Sequence, residues 1–271
     1  MAVQPNQPQG IGGVLDTAFQ LYKSSFARVW AIALLTALMS LAPTLYWLLF
    51  GLKGFDVSTL ASNPFAMYTH SPSLVGMSLL SVLLTLWGMG ALVLKQRAIG
   101  SDEQMSTGEA FQAALSRVPA LIVAMILYLF AFVAGSFLLV VPGLILGLSL
   151  IMFMALVLFD RKGPIDALIG SHKLVWGNWW RTCAVVTLAF ILMVVIFMAV
   201  GIVAAVITPF AGMASGDFLV VTMVVQSVLS AAANVFMTPF TSAVMIALYW
   251  DLKLRKEGGD LAARVDALSA A

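Results

Sequence analysis

Six long stretches without a charged residue alternate with shorter polar segments along the chain. A helix that crosses a hydrocarbon core about 30 Å thick needs roughly 20 apolar residues, and each stretch approaches or exceeds that length. The third and fourth stretches are joined without a charge from residue 118 to residue 159, which suits two crossings with a fold-back at Pro142-Gly143. The sequence therefore predicts six transmembrane helices, at residues 29–52, 73–94, 119–140, 143–159, 182–207 and 218–250.

A short amphipathic stretch precedes each odd-numbered span. The first, at residues 11–26, has its apolar residues at helical spacing. The second, at residues 106–118, opens with Ser106 and Glu109 at capping-box spacing, and the third starts at Gly163-Pro164, where proline suits a first helical turn. We predict an all-α polytopic membrane bundle of six transmembrane helices with three cytoplasmic-side interfacial amphipathic helices, in three helix-plus-hairpin units. Accidental similarity of the three stretches is the alternative to a repeat.

The whole chain, residues 1–271, is expected to form a single membrane domain. Residues 1–10 are polar and rich in Gln, Pro and Gly, lack the apolar core of a signal peptide, and are predicted to be a flexible N-terminus. Residues 256–271 are predicted to be a tail in the cytoplasm.

Composition supports the membrane assignment and excludes several classes of protein. The 271 residues are 62% hydrophobic and 10% charged, whereas a soluble domain is about 25% charged. The chain therefore has too few charges to cover a water-soluble surface. This excludes a soluble enzyme and a disordered chain. A nucleic-acid partner is also excluded, because the net charge is only +2.

The distribution of lysine and arginine predicts the orientation. Thirteen of the 14 basic residues lie before span one, between spans two and three, between spans four and five, or after span six, and only Lys53 lies on the other side. By the positive-inside rule the basic side is cytoplasmic, so both termini are predicted in the cytoplasm of a cell with a bacterial inner membrane. Five tryptophans sit at the same ends of the spans, where indole rings favour the interface; these are Trp30, Trp176, Trp179, Trp180 and Trp250.

Two groups of residues are candidate sites. A polar stripe with a four-residue repeat follows the last span and could line a groove for a headgroup, a solute or water, although interhelical hydrogen bonding in a packed bundle explains it better. Basic and aromatic residues beside spans five and six are candidate headgroup contacts. The stripe comprises Gln226, Ser230, Asn234, Thr238 and Ser242; the headgroup set comprises Trp179, Trp180, Arg181, Trp250, Lys253, Arg255 and Lys256. Asp251, Glu257 and Asp260 are expected to pair with basic residues of other segments.

The predicted spans contain no Asp, Glu, Lys, Arg or His, whereas proton relays and charge-coupled transporters usually place such groups at membrane depth. Cys183 has no His nearby in sequence and is read as a packing residue. No common catalytic or nucleotide-binding motif occurs. We therefore expect no enzyme activity, no catalytic or metal site and no cofactor.

Several motifs resemble those of a known family. The C-terminal run ALYWDLKLRKEGGDL, at residues 247–261, is similar to the "YYDLRxRxEGxDL" ending of the glycerophosphodiester phosphodiesterase membrane domain family and its uncharacterised six-helix bacterial relatives. The residues at 13–15, 18–19 and 21–23 match the start of that family. Its central motif corresponds to Pro142-Gly143, Phe159-Asp160, Gly163-Pro164, Ala167-Leu168, Ser171, Gly177, Trp179 and Trp180.

The resemblance implies a six-helix membrane protein and does not transfer a catalytic activity. In some relatives a soluble phosphodiesterase domain of about 250 residues is attached, and only residues 257–271 follow the last span here. Asp160 replaces the usual glutamate, and Trp250 replaces the second tyrosine.

Two functions remain open at this point. The first is a non-catalytic inner-membrane protein that is lipid-associated or acts as an accessory or scaffolding protein, with membrane lipids and a protein partner or a second copy as its partners. The second is a channel or transporter for a neutral or amphiphilic solute that uses the polar stripe.

Overall fold

The chain is helical throughout the part described by a computed structural model, which covers residues 3–51, 53, 55, 59–63, 65–215 and 218–269. None of these residues lies in a strand. The helices are α1 (Ile11–Tyr46), followed by a π-helical turn (Trp47–Gly51), α2 (Thr59–Ser62), α3 (Ala66–His70), α4 (Pro72–Gly100), α5 (Thr107–Leu115), α6 (Val118–Leu138), α7 (Val140–Leu150), α8 (Phe153–Leu158), α9 (Pro164–Val175), α10 (Trp179–Ser215) and α11 (Phe218–Ser269).

Six segments are long and apolar enough to cross a membrane, as the sequence predicted. Large apolar side chains project from them, including Phe130, Phe137 and Phe210, which are 72%, 87% and 73% exposed. A surface of this kind is stable only against lipid. The six segments are Ile11–Gly51, Pro72–Gly100, Val118–Phe137, Val141–Leu158, Trp179–Phe210 and Val220–Gly258. The predicted end of the first span, Leu52, lies outside the described residues.

The first amphipathic stretch is not a separate helix. Residues 11–26 belong to α1, which continues without a break to Tyr46 because no proline or glycine interrupts residues 14–42. The second and third stretches do form separate helices, α5 and α9. The helix α9 ends before Gly177, whose φ of +93° is a conformation that favours glycine.

The fold-back between α6 and α7 lies three residues before the predicted position. Leu139 is the extended residue, with φ −168° and ψ 153°, and Pro142 falls in the first turn of α7, where its missing N–H costs nothing. Glycines let the two helices approach closely, because a Cβ on Gly135 would lie 3.1 Å from the Cα of Gly143. The predicted fourth span is also divided, since α7 ends at Leu150 and α8 begins at Phe153.

The capping box predicted at the start of α5 is present. The Ser106 hydroxyl accepts from the Glu109 backbone N–H at 3.2 Å, and the Ser106 N–H donates to Glu109 Oε2 at 2.6 Å. This backbone hydrogen bond, helped by the Ser106 side chain, holds the pKa of the Glu109 carboxyl below its ordinary value. The reciprocal cap fixes where α5 begins after the loop that follows α4.

The chain forms two compact units. The first comprises Met1–Val29, Gly90–Ile191 and Pro239–Ala271, and the second comprises Trp30–Met89 and Leu192–Thr238. In the second unit, α1 and α4 pack closely: Ser81 Oγ donates to the Met39 carbonyl at 2.7 Å, and a Cβ on Gly88 would collide with Thr36. The first unit contains the charged and aromatic residues considered below, and the expected single membrane domain stays a prediction.

Gly100 offers a test of packing in the first unit. A Cβ at this position would lie 2.5 Å from Trp250 Cη2 and 2.9 Å from Leu21 Cδ1, so Gly100→Ala is expected to lower stability by about 1–3 kcal/mol through overpacking. Gly12→Ala is the control, because its Cβ would meet no atom within 4 Å. Thermal unfolding in detergent measures both. Equal unfolding temperatures for the two variants would contradict the packing.

Candidate functional site

A buried carboxylate organises one end of the first unit. Asp251 lies on α11 with no exposed side-chain surface, and its Oδ2 accepts from Arg181 Nε at 2.8 Å and from Arg255 Nε at 3.0 Å. Its Oδ1 accepts from the backbone N–H of Gln9 at 2.7 Å. The expected pairing of Asp251 with a basic residue of another segment is thus present, since Arg181 lies in the first turn of α10.

The N-terminal segment closes this network. The Gln9 carbonyl accepts from the Nη2 atoms of both Arg181 and Arg255, and the Gln9 side chain accepts from the Thr17 hydroxyl at 2.8 Å. Further along, the backbone N–H groups of Val3 and Gln4 donate to the Gly100 carbonyl at 2.8 and 3.1 Å. Residues 3, 4 and 9 thus have hydrogen-bond partners on other helices, which sequence composition does not reveal, and the flexibility of residues 1–10 stays a prediction.

A second polar cluster surrounds Asp160, just after α8. Its Oδ1 accepts from the Tyr249 hydroxyl at 2.7 Å and from Lys253 Nζ at 3.1 Å. Phe159 packs edge-on against the Tyr249 ring, with centroids 5.2 Å apart, and Arg97 lies 5.1 Å from the Phe159 centroid. The cluster ties the end of α8 to the same stretch of α11 that carries Asp251.

The structure places the predicted headgroup residues in different environments. Trp180 is 79% exposed, and Lys256 is exposed as well. Arg181, Lys253 and Arg255 are instead engaged in the two ion-pair clusters. Trp250 is only 3% exposed, so its predicted headgroup contact is corrected: α11 continues past this position, and Gly100 and Leu21 pack near its ring.

An apolar cleft of about 490 Å³ lies beside the exposed tryptophans. One wall comes from the start of α7, and the other from the turn between α9 and α10. Trp179 and Trp180 meet edge to face with centroids 4.8 Å apart, and Trp179 Nε1 is buried without a hydrogen-bond partner. The lining residues are Val141, Leu144, Ile145, Trp176, Gly177, Trp179 and Trp180.

The polar stripe of α11 does not form one continuous surface. Gln226 is exposed and donates to the Ser230 hydroxyl at 3.3 Å, whereas Asn234 and Thr238 are half-buried. Ser242, in the first unit, is 1% exposed, and its hydroxyl has no hydrogen-bond partner. Burial thus increases along the stripe towards the C-terminus.

A cavity of about 290 Å³ in the second unit reaches one end of this stripe. Gln226 and Ser227 line it together with Trp47, whose buried Nε1 has no hydrogen-bond partner. Asn234 is not among its lining residues. The remaining lining residues are Pro43, Thr44, Met67, Tyr68, Leu74 and Met223.

Two glutamines with central roles were missed by the sequence reasoning. Gln96 is fully buried, and its Nε2 donates to the Ser25 hydroxyl at 2.9 Å and to the Pro239 carbonyl at 3.0 Å. The sequence offers one indication of this role, because Gln96 is an uncharged polar residue in the helical segment directly after the predicted second span. The sequence gives no such indication for Gln9, because most of its hydrogen bonds are made by backbone atoms. Among the described residues no cluster of three or more His, Cys, Asp or Glu side chains could hold a metal ion.

The helices, their apolar exposed surfaces and the polar ends of the first unit define a multi-pass helical membrane protein of unknown function. The chain belongs to the family described as a domain of unknown function, DUF7847, whose sequence model matches residues 105–252. The matched segment includes Asp160, Arg181 and Asp251, and excludes Gln9. No curated protein and no solved structure matches the chain. The resemblance to the glycerophosphodiester phosphodiesterase membrane domain stays a prediction from the motifs.

Asp251→Asn is expected to destabilise the protein strongly. The substitution leaves Arg181 and Arg255, which are 18% and 28% exposed, without their shared counter-charge, and breaking a buried pair costs about 3–5 kcal/mol. Asp160→Asn is the matched control, because its ion pair with Lys253 is more exposed and is worth about 1 kcal/mol. Thermal unfolding in detergent should separate the two variants. If Asp251→Asn lowers the unfolding temperature no more than Asp160→Asn does, the structural role of Asp251 is contradicted.

Proposed function

We propose that this chain is a non-catalytic membrane protein that binds lipids and serves as an accessory or scaffolding component of the membrane. The observation that carries the proposal is the apolar cleft beside Trp176, Trp179 and Trp180. The proposed occupant of the cleft is a membrane lipid. A protein partner or a second copy of the chain is the alternative occupant.

The chemistry of the cleft suits a lipid molecule. Trp176 and Trp180 are 59% and 79% exposed, and indole rings favour the boundary between acyl chains and headgroups. Val141, Leu144 and Ile145 supply an apolar wall for an acyl chain. The buried Trp179 Nε1 lacks an acceptor, which an ester or phosphate oxygen of the lipid would supply.

The charged groups of the first unit support a non-catalytic role. Asp251 is neutralised by two arginines, and Asp160 by Lys253 and a tyrosine hydroxyl. The hydrogen bonds of these two carboxylates go to groups of the protein itself, on other segments or on the next turn of α11. These groups therefore act as structural ties between helices.

We further propose that the protein resides in a bacterial inner membrane with both termini in the cytoplasm. The proposal is supported by the thirteen basic residues that the sequence places on one side of the predicted spans. Lys173 on α9 and Lys256 on α11 have exposed side chains, and each could add about 1 kcal/mol of attraction to anionic headgroups.

A second candidate function is a pathway for a neutral or amphiphilic solute. The cavity that Gln226, Ser227 and Trp47 line supports it, because it combines an apolar wall with polar groups able to bond a small uncharged molecule. The buried Trp47 Nε1 offers such a molecule a free donor.

Retention of lipid tests the first candidate. The double variant Trp176→Ala/Trp180→Ala removes most of one cleft wall, so we expect native mass spectrometry of the purified protein to show loss of co-purified lipid. Trp30→Ala is the matched control, because Trp30 is 48% exposed and lies in the second unit. Equal lipid retention in the control and the double variant would refute the role of the cleft.

Solute flux in proteoliposomes tests the second candidate. If the cavity forms part of a pathway, Gln226→Leu should slow the swelling of vesicles in a glycerol gradient, because it removes a hydrogen-bonding group from the lining. Thr222→Val is the control, since Thr222 lies on the same helix, donates to the Phe218 carbonyl and does not line the cavity. Swelling of wild-type vesicles no faster than that of empty vesicles would eliminate this function.

A further inference from the structure

We propose that the hairpin formed by α6 and α7 does not cross the membrane, but enters and leaves the lipid on one side and occupies a single leaflet. Its exposed apolar surface would then contact the acyl chains of that leaflet. The proposal is independent of whether the tryptophan cleft retains a lipid molecule.

The first step concerns the base of the hairpin. The helix α8 returns the chain to Asp160, which is bonded to Tyr249 and Lys253 of α11. The base therefore lies level with residues 249–253 of that helix.

The second step concerns the tip. Val141 and Leu144, directly after the fold-back at Leu139, share the cleft with Trp179 and Trp180. The next residue, Arg181, is bonded to Asp251. The tip therefore lies close to the start of α10, which is level with residues 251–255 of α11.

The third step compares these two levels. Residues 249 and 255 of α11 are separated by a rise of about 9 Å along the helix axis. A hairpin that crosses the bilayer would separate its base and tip by about 30 Å along the membrane normal. Because α11 is itself a candidate span, the contacts at the base and tip leave too little depth for such a crossing.

The helix α9 independently supports a hairpin that does not cross the bilayer. It runs back along α7 and α8 from base to tip: Gly170 lies against Leu156, Ser171 Oγ donates to the Ser149 carbonyl at 2.9 Å, and Trp176 reaches the cleft. Two of its exposed side chains, Asp166 and Lys173, are charged. An amphipathic helix with this composition lies at the membrane surface, so the hairpin parallel to it lies at a shallow angle.

The exposed surface of the hairpin fits lipid as its partner. Phe130, Phe137, Leu139 and Val141 are 72%, 87%, 69% and 64% exposed, and no charge occurs between residues 118 and 159. Such a surface is unstable in water and fits the acyl region of one leaflet. The chain would then cross the bilayer with α1, α4, α10 and α11.

Cross-linking in native membranes tests the position of the tip. In a Cys183→Ser background, a bis-maleimide much shorter than the bilayer thickness of about 30 Å should join Leu144→Cys to Trp180→Cys. Leu115→Cys paired with Trp180→Cys is the control, because Leu115 is 56% exposed and lies at the base of the hairpin. Mass spectrometry should show a cross-linked peptide for the first pair and none for the second. Absence of the Leu144–Trp180 product would overturn the proposal.

Labelling with a membrane-impermeant maleimide tests sidedness separately. Single-cysteine variants at Lys173 and Asn63, both exposed, report the two sides in right-side-out and inside-out vesicles. Leu139→Cys should react only from the Lys173 side. Reaction from the Asn63 side would overturn the proposal. Gel filtration confirms that each variant is folded, and neither readout depends on lipid retention or solute flux.

Discussion

The buried carboxylate of Asp251 constrains the rest of the first unit. A charge with no exposed surface is stable only when paired and fully hydrogen-bonded, and here two guanidinium groups and a backbone N–H supply those bonds. The partners come from the N-terminal segment, the start of α10 and the next turn of α11. One side chain thus joins the N-terminal segment, α10 and α11, and removal of its carboxylate would leave both guanidinium groups without their shared counter-charge.

This network changes which residues remain available to the membrane. Arg181 and Arg255 direct their guanidinium groups to Asp251 and to the Gln9 carbonyl, and Lys253 directs its ammonium group to Asp160. These three basic residues therefore hold helices together, which leaves Trp176, Trp180 and the exposed lysines for the lipid binding that we propose. Trp250 is also withdrawn from the surface, because its ring packs near Gly100 of α4 and Leu21 of α1.

Local physical properties account for what the sequence predicted well. Span length depends on a run of apolar residues, and the cap of α5 depends on two residues three positions apart, so both could be read directly. Docking of residues 3–10 and burial of Trp250 could not, since they depend on backbone groups and on helices that meet only in the fold. The shift of the turn from Pro142 to Leu139 has a similar origin: proline is compatible with a first helical turn, so it did not fix the fold-back. Of the candidate sites, Trp180 is exposed while its headgroup contact stays a prediction, and the polar stripe does not form one surface.

The direction of the α6–α7 hairpin shows where hydropathy and charge cease to be informative. Hydropathy measures how long an apolar segment is, and not whether it stands across the bilayer or lies within one leaflet. The positive-inside rule is equally silent, because residues 118–159 carry no charge and because four crossings return the termini to the same side as six. Only contacts between distant residues separate the alternatives. Asp160 and Arg181 provide such contacts: they flank α9, which packs along α7 and α8, and both contact the same two turns of α11.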